Sequence, residues 1–284
     1  MVQFRRYDDV ESFKYDTFDA LMENEVRNNL LISMVTENKA SCDAGWMMAT
    51  ITDKGHVILA ALYAKPFNLF LYGPEREGHD AILLLAEEVR SIGLDLPGVL
   101  AECSLARCFA DAYCANGESR RNLAMNIMRL DKLLEFKKAP GHNRPLEESD
   151  MIFVPYWEHA FSEECGAHVF TISENFDRIS SRLGKGSHFI WEDGFPVSQA
   201  VHGRDTPNGA IINWVYTPPH LRGRGYATSV VAALSESLLE RGKSFCCLFA
   251  DADNPVSCEI YRNLGYYDIC TLEDIRFDTR NKIS

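Results

Sequence analysis

Apolar residues recur along this chain first at helical spacing and then in alternating or continuous strand-like runs, and the sequence of patterns occurs twice. From Met1 to Lys39 the chain reads as mainly helical. Segments 9–24 and 25–36 set Phe13, Phe18, Leu21, Val26, Leu30 and Met34 on helical faces with charges between them. Three short strands follow at 46–52, 56–64 and 67–72, the first two joined by the turn Asp53-Lys54-Gly55. Segment 78–92 then predicts a helix, 98–102 a strand, 104–115 a helix and 123–130 a strand. The second run opens with helical segments over 147–164 and 175–183. Strands at 189–192, 195–201 and 210–216 come next, Asp193-Gly194 turning the first pair, and helix, strand, helix, strand complete the order.

Repetition of one supersecondary pattern implies an internal duplication, and a mixture of strands with crossing helices implies an α/β fold (α+β by stricter naming) with mixed sheets. The junction falls at 136–144, where Lys137 to Pro145 is polar, basic and rich in breakers, as a linker is. The expected domains are therefore 1–138 and 139–284. With 284 residues the chain is long enough for two ordinary cores.

Composition narrows the classes. Hydrophobic content of 46% with 11% aromatic residues describes a folded chain. No long uncharged apolar run and no basic-then-apolar start is visible, so neither a membrane span nor a secretory signal is expected. Nine cysteines form no C-x-x-C pair, and several lie inside apolar patterns, which points to free thiols in a reducing cytoplasm. Eight histidines without metal-ligand spacing give no metal site. The net charge of −12 repels phosphate backbones and argues against nucleic acid, while permitting a cationic amine as partner.

Chemistry concentrates between Ala210 and Tyr267. The strand AIINWVY ends at Thr217-Pro218-Pro219, and Arg222-Gly223-Arg224-Gly225-Tyr226-Ala227 opens a helix. Paired glycines let backbone approach a ligand, the helix N-terminus supplies unpaired N–H groups, and the two arginines add forked cationic donors. Such a loop holds a phosphate or diphosphate. It has no Lys-Ser/Thr pair for a Walker loop and lacks the third glycine of a dinucleotide fingerprint. After the apolar strand FCCLFA, Asn254-Pro255 starts a second helix, along whose face Asn254, Ser257 and Tyr261 lie at spacings of three and four.

Val215-Tyr216-Thr217-Pro218-Pro219-x-x-Arg222-Gly223-x-Gly225-Tyr226-Ala227, followed by Asn254-Pro255-x-Ser257-x-x-Ile260-Tyr261-x-x-Leu264-Gly265-Tyr266, resembles the acetyl-CoA site of the GCN5-related N-acetyltransferases, the GNAT superfamily. The resemblance implies two tandem GNAT-like domains and transfer of acetyl from acetyl-CoA to a primary amine on a small molecule or peptide. It puts Val215, Tyr216 and Thr217 along the pantetheine and acetyl group. Arg222, Gly223, Arg224, Gly225, Tyr226, Ala227 and Thr228 fall at the pyrophosphate, Asn254 and Ser257 beside the cofactor, and Tyr261 near the sulfur as catalytic acid. A phenol of pKa about 10 is a competent donor to a thiolate whose conjugate acid has a pKa of about 8.5. The base is open among Glu192, Asp193, His202, Asp251 and a water chain, because Asn213 stands where some relatives carry a carboxylate. In the first copy the loop reads Tyr72-Gly73-Pro74-Glu75-Arg76-Glu77-Gly78, whose glutamates would repel a diphosphate. That copy is expected to be degenerate, with a structural, dimerising or substrate-shaping role. The alternative function is a non-catalytic acyl-CoA-binding regulator.

Overall fold

Each half of the chain builds the same order of elements in the computed structural model, which describes residues 2–37, 46–73, 79–114, 119–166 and 168–277. The first run is β1 (Gln3–Tyr7), α1 (Val10–Met22), α2 (Asn29–Glu37), β2 (Trp46–Asp53), β3 (His56–Ala64), β4 (Leu69–Tyr72), α3 (His79–Ile92), β5 (Gly98–Glu102), α4 (Cys103–Tyr113) and β6 (Ser119–Leu130). The second is β7 (His142–Pro145), α5 (Val154–Glu164), α6 (Ile172–Ser180), β8 (His188–Glu192), β9 (Pro196–Asp205), β10 (Gly209–Tyr216), α7 (Tyr226–Glu240), β11 (Phe245–Asp251), α8 (Pro255–Asn263) and β12 (Tyr267–Phe277). The duplication read from the sequence is thus present element by element, in an α/β fold.

Two compact units result: Met1–Met125 with Cys270–Ser284, and Asn126–Ile269. In the first, the strands run β1-β2-β3-β4-β5-β12, with β4 and β5 parallel and the other neighbours antiparallel. Its last strand is therefore the C-terminal strand of the chain. Polar contacts fix that strand: Asn68 Nδ2 donates to Asp274 Oδ1 at 2.6 Å in the interior, and the exposed Arg107 makes a bidentate pair with the buried Glu273 at 2.6 and 2.8 Å. Glycine is required at 98, because a Cβ there would lie 2.3 Å from the Ile275 carbonyl oxygen. Alternation in β2 sends Met47, Ala49 and Ile51 to the core under α3 and α4, and Met48 to the core under α1 and α2. Both faces are covered, which explains the nearly continuous apolar run in β2 and β3.

The second unit orders its strands β6-β11-β10-β9-β8-β7. One face carries α7 and α8, where Val230, Val231, Leu234 and Leu238 pack on Ile212, Cys246 and Leu248. The other carries α5 and α6, where Val154 and Ile179 meet Ile190.

Two sequence expectations change. Gln3–Tyr7 lies in the region read as helical but is a strand paired antiparallel to β2; with only five residues and two arginines it has too little apolar alternation to be recognised. The stretch 137–145 is not a loose linker. Ala139 is buried with its N–H on Ser229 Oγ at 2.8 Å, Trp191 Nε1 donates to the Pro140 carbonyl at 2.8 Å, and His142–Pro145 pairs with β8. Proline at the end of an edge strand interrupts no ladder, so the breakers there mark an edge. In the first copy's loop, residues 74–78 lie outside the described residues.

Candidate functional site

The site is built where β10 leaves its neighbours. Its parallel ladder with β11 runs from Gly209–Phe245 to Ile212–Leu248, so that 213–216 extend beyond it. On the other side the register with β9 slips between Asn213 and Tyr216, and Trp214 there takes a left-handed φ of +52°. A non-glycine residue in that region is uncommon and marks a built-in bend. Residues 213–216 thus lie past the β11 ladder, and of their carbonyls Trp214 accepts from Gln199 Nε2 at 3.3 Å and Tyr216 from Ser198 Oγ at 3.0 Å.

Past β10 the two prolines and a 3₁₀ turn at Pro219–Leu221 carry the chain to the paired glycines. Gly223 and Gly225 have φ of +76° and +80°, which glycine adopts without strain. A Cβ built on Gly223 would meet nothing within 4 Å, so the surface above the loop is open. Gly225 is the N-cap of α7 and offers no side-chain hydrogen bond, leaving the first N–H groups of that helix for a ligand. Arg222 donates Nε to the Thr217 carbonyl at 2.8 Å, which folds its guanidinium back along the loop, and Nη2 meets Glu164 at 2.6 and 2.9 Å. Arg224 is exposed. Ala227 and Thr228 are half-buried on the first turn of α7, whereas Tyr226 points into the core and donates to Asp193 Oδ2 at 2.6 Å. Thr217 is buried, its hydroxyl 2.8 Å from Ser198 Oγ. Tyr216 is buried as well and stands 6.1 Å, ring to ring, from Trp157 of α5.

The α8 residues divide. Asn254 caps the helix through Oδ1, which accepts from Ser257 N at 3.2 Å, and Ser257 Oγ donates to the Asn254 carbonyl at 2.9 Å. Asn254 is exposed and Ser257 half-buried at the helix start, with the Asn254 amide N–H groups not used by the cap. Tyr261 lies one turn further along and is buried, 6.0 Å edge-on to Tyr266. Burial, then the nearby Cys165 and Cys258 sulfurs, push its pKa well above the usual 10.

None of the four carboxylate or imidazole candidates for the base is idle. Glu192 pairs with Arg144 at 2.5 Å, Asp193 accepts from Tyr226, His202 meets Asp205 at 3.0 Å, and Asp251 Oδ1 accepts from the Asp253 N–H at 2.9 Å. Glu164 on the loop arginine and Cys165 beside Tyr261 were not read from the sequence. Both close onto the site from 50 or more residues away, and no spacing rule reports such a contact.

Glu158 of α5 is fully buried and forms an ion pair with Arg182; its second carboxylate oxygen has no partner among the described residues. Desolvation raises its pKa despite that arginine. Among the described residues no group of three or more His, Cys, Asp or Glu is placed to hold a metal, and no helix is long and apolar enough to cross a membrane. The eight described cysteines are free thiols.

Comparison with known proteins bears on the fold. The family model described as FR47-like protein matches residues 193–275. No curated protein matches the chain. Among solved structures, a GCN5-related N-acetyltransferase from Sphaerobacter thermophilus superposes with a TM-score of 0.67 at 15% identity, over 99% of this chain and 97% of that one. A GNAT-family acetyltransferase from Colwellia psychrerythraea gives 0.62 at 11%, over 97% and 100%. A tandem GNAT protein from the clavulanic acid biosynthesis pathway gives 0.56 at 13%, over 97% of each. At these identities the structures speak for the fold, which is that of GNAT acetyltransferases, and the FR47-like segment spans the glycine loop.

Proposed function

We propose that this protein is an acetyl-CoA-dependent N-acetyltransferase whose second half binds the cofactor and directs a primary amine onto the thioester. The observation that carries the reading is the continuous path from the released edge of β10, through Gly223 and Gly225, to the uncapped start of α7 beside Arg222. That path fits the ligand: an extended arm against strand groups, then a diphosphate on helix N–H groups and a guanidinium. Val215, Tyr216 and Thr217 would lie along the arm. Arg222 to Thr228 would cradle the diphosphate, and Asn254 and Ser257 would flank the cofactor. Glu164 must release Arg222 for the diphosphate to take its place.

In the reaction the amine nitrogen bonds to the acyl carbon, the C–S bond breaks, and a proton passes from nitrogen to sulfur. Tyr261 is assigned as donor to the departing sulfur. Its raised pKa keeps the phenol protonated at every working pH, so it acts as a hydrogen-bond donor and never as a base. The first half, with glutamates in the equivalent loop of its sequence, is assigned a structural or substrate-shaping role, and 1–138 and 139–284 are proposed as the functional division. Free thiols fit a cytoplasmic setting.

Engagement of all four candidate bases favours a second reading, an acyl-CoA-binding protein without turnover. Thiol release from acetyl-CoA with a panel of amines separates the two. Release that falls about 100-fold in Tyr261→Phe supports the enzyme; saturable cofactor binding with no release supports the regulator.

A further inference from the structure

We propose that the acceptor amine also carries a carboxylate, as an amino acid does, and that Arg178 binds that carboxylate beside the bend of β10; the proposal rests on the acetyltransferase reading above. Arg178 projects from α6 between two aromatic rings, its guanidinium carbon 4.0 Å from the Phe170 centroid and 5.2 Å from that of Trp214. Phe161 of α5 braces Trp214 from another side at 5.2 Å.

Several other arginines of this unit meet carboxylates: Arg144 with Asp150, Arg182 with Glu158, Arg222 with Glu164 and Arg262 with Asp268. Arg178 has no carboxylate within ion-pair distance among the described residues. Its closest polar contact is a long one, Nη1 to Asn175 Oδ1 at 3.5 Å. The nearest acids, Glu158 and Glu174, act on it only through space: Glu158 spends one oxygen on Arg182, and Glu174 is bound to the Thr171 cap at 2.8 Å. Half-burial lowers the Arg178 pKa, outweighing the Glu158 and Glu174 charges, as for a charge held partly out of water with no carboxylate in direct contact. A planar guanidinium stacked on rings is pre-organised to take a carboxylate through two parallel hydrogen bonds.

Position supplies the second half of the argument. Trp214 stands at the bend of β10 and immediately precedes Val215, where the acetyl-bearing arm is proposed to lie, so the proposal sets the acceptor's carboxylate on Arg178 and its amine toward the thioester. The same charge disfavours polyamines, which the net charge of −12 by itself would permit.

The test measures thiol release from acetyl-CoA with the common amino acids, their methyl esters and their decarboxylated amines, together with acetyl-CoA affinity by calorimetry. For the wild-type protein, kcat/KM for the best amino acid is expected to exceed that of its decarboxylated amine by about 100-fold or more. Arg178→Met should raise KM for the amino acid by at least about 30-fold, leave the ester and amine within about threefold, and leave acetyl-CoA affinity unchanged. Arg178→Glu should shift preference toward diamines. A wild-type preference for amines or esters over acids, no turnover of any amino acid, or an equal loss for all three acceptor types in Arg178→Met overturns the proposal. Failure of the wild-type protein to bind acetyl-CoA shows instead that the underlying reading is wrong, and removes both.

Discussion

His188, at the start of β8, gives the fold an acid-sensitive point whose size follows from its surroundings. The ring is 1% exposed; Gln199 and Arg182 lie nearby, but neither ring nitrogen has a partner in hydrogen-bonding geometry among the described residues. Burial, and then the Arg182 charge, lower its pKa from 6.5 to about 3. Below 6.5 the unfolded chain therefore takes up a proton that the folded protein refuses, and stability falls as pH drops from 6.5 toward 3. Linkage puts the loss from this residue at about 2 kcal/mol between about pH 7.5 and about pH 5. Urea unfolding, followed by the fluorescence of neighbouring Trp191 at the two pH values, measures it. In His188→Leu the drop should shrink by about that amount, and removal of an unsatisfied polar ring should raise stability at neutral pH by about 1 kcal/mol or more. An unchanged difference between the two pH values in the variant would refute the reasoning.

Other changes test the loop, the buried pair and the phenol. Gly225→Ala forces a side chain into φ +80°, costing about 1–2 kcal/mol in thermal unfolding and weakening acetyl-CoA at least about tenfold. Gly242→Ala, at φ +95° beyond the other end of α7, should cost similar stability and leave affinity alone. Arg182→Met strands the buried Glu158 carboxylate and should destabilise by about 3–5 kcal/mol, while adding Glu158→Leu should restore most of it in the same unfolding assay. Because burial raises the Tyr261 pKa, loss of its proton cannot slow the enzyme until pH is well above 10. A pH–kcat profile with a falling limb near pH 9 to 10 that disappears in Tyr261→Phe would contradict that.

What the sequence made legible was local. Caps, turns and glycine placement act within a few residues, so Asn254-Pro255 as a helix start and Gly223 and Gly225 as a loop are found where the pattern puts them. Strands buried on both faces announce themselves as apolar runs, as in β3 and β11. Pairing partners are not local. The final strand was expected in the order of elements, but nothing in Tyr267 to Phe277 says that it pairs with β5 through Leu272–Glu102 to Arg276–Gly98. The same holds for the site: Arg222 is visible from its motif, whereas its ion pair with Glu164 joins residues 58 apart. Arg178, Phe170 and Trp214 have no common spacing and meet only because α6 packs beside the bend in β10.

Calorimetric titration of the purified protein with acetyl-CoA tests the central claim most directly. The glycine loop and the α7 N-terminus predict saturable binding of one cofactor per chain, weakened at least about tenfold by Arg222→Met and again by Gly225→Ala. No measurable binding, or binding indifferent to both substitutions, would contradict the account.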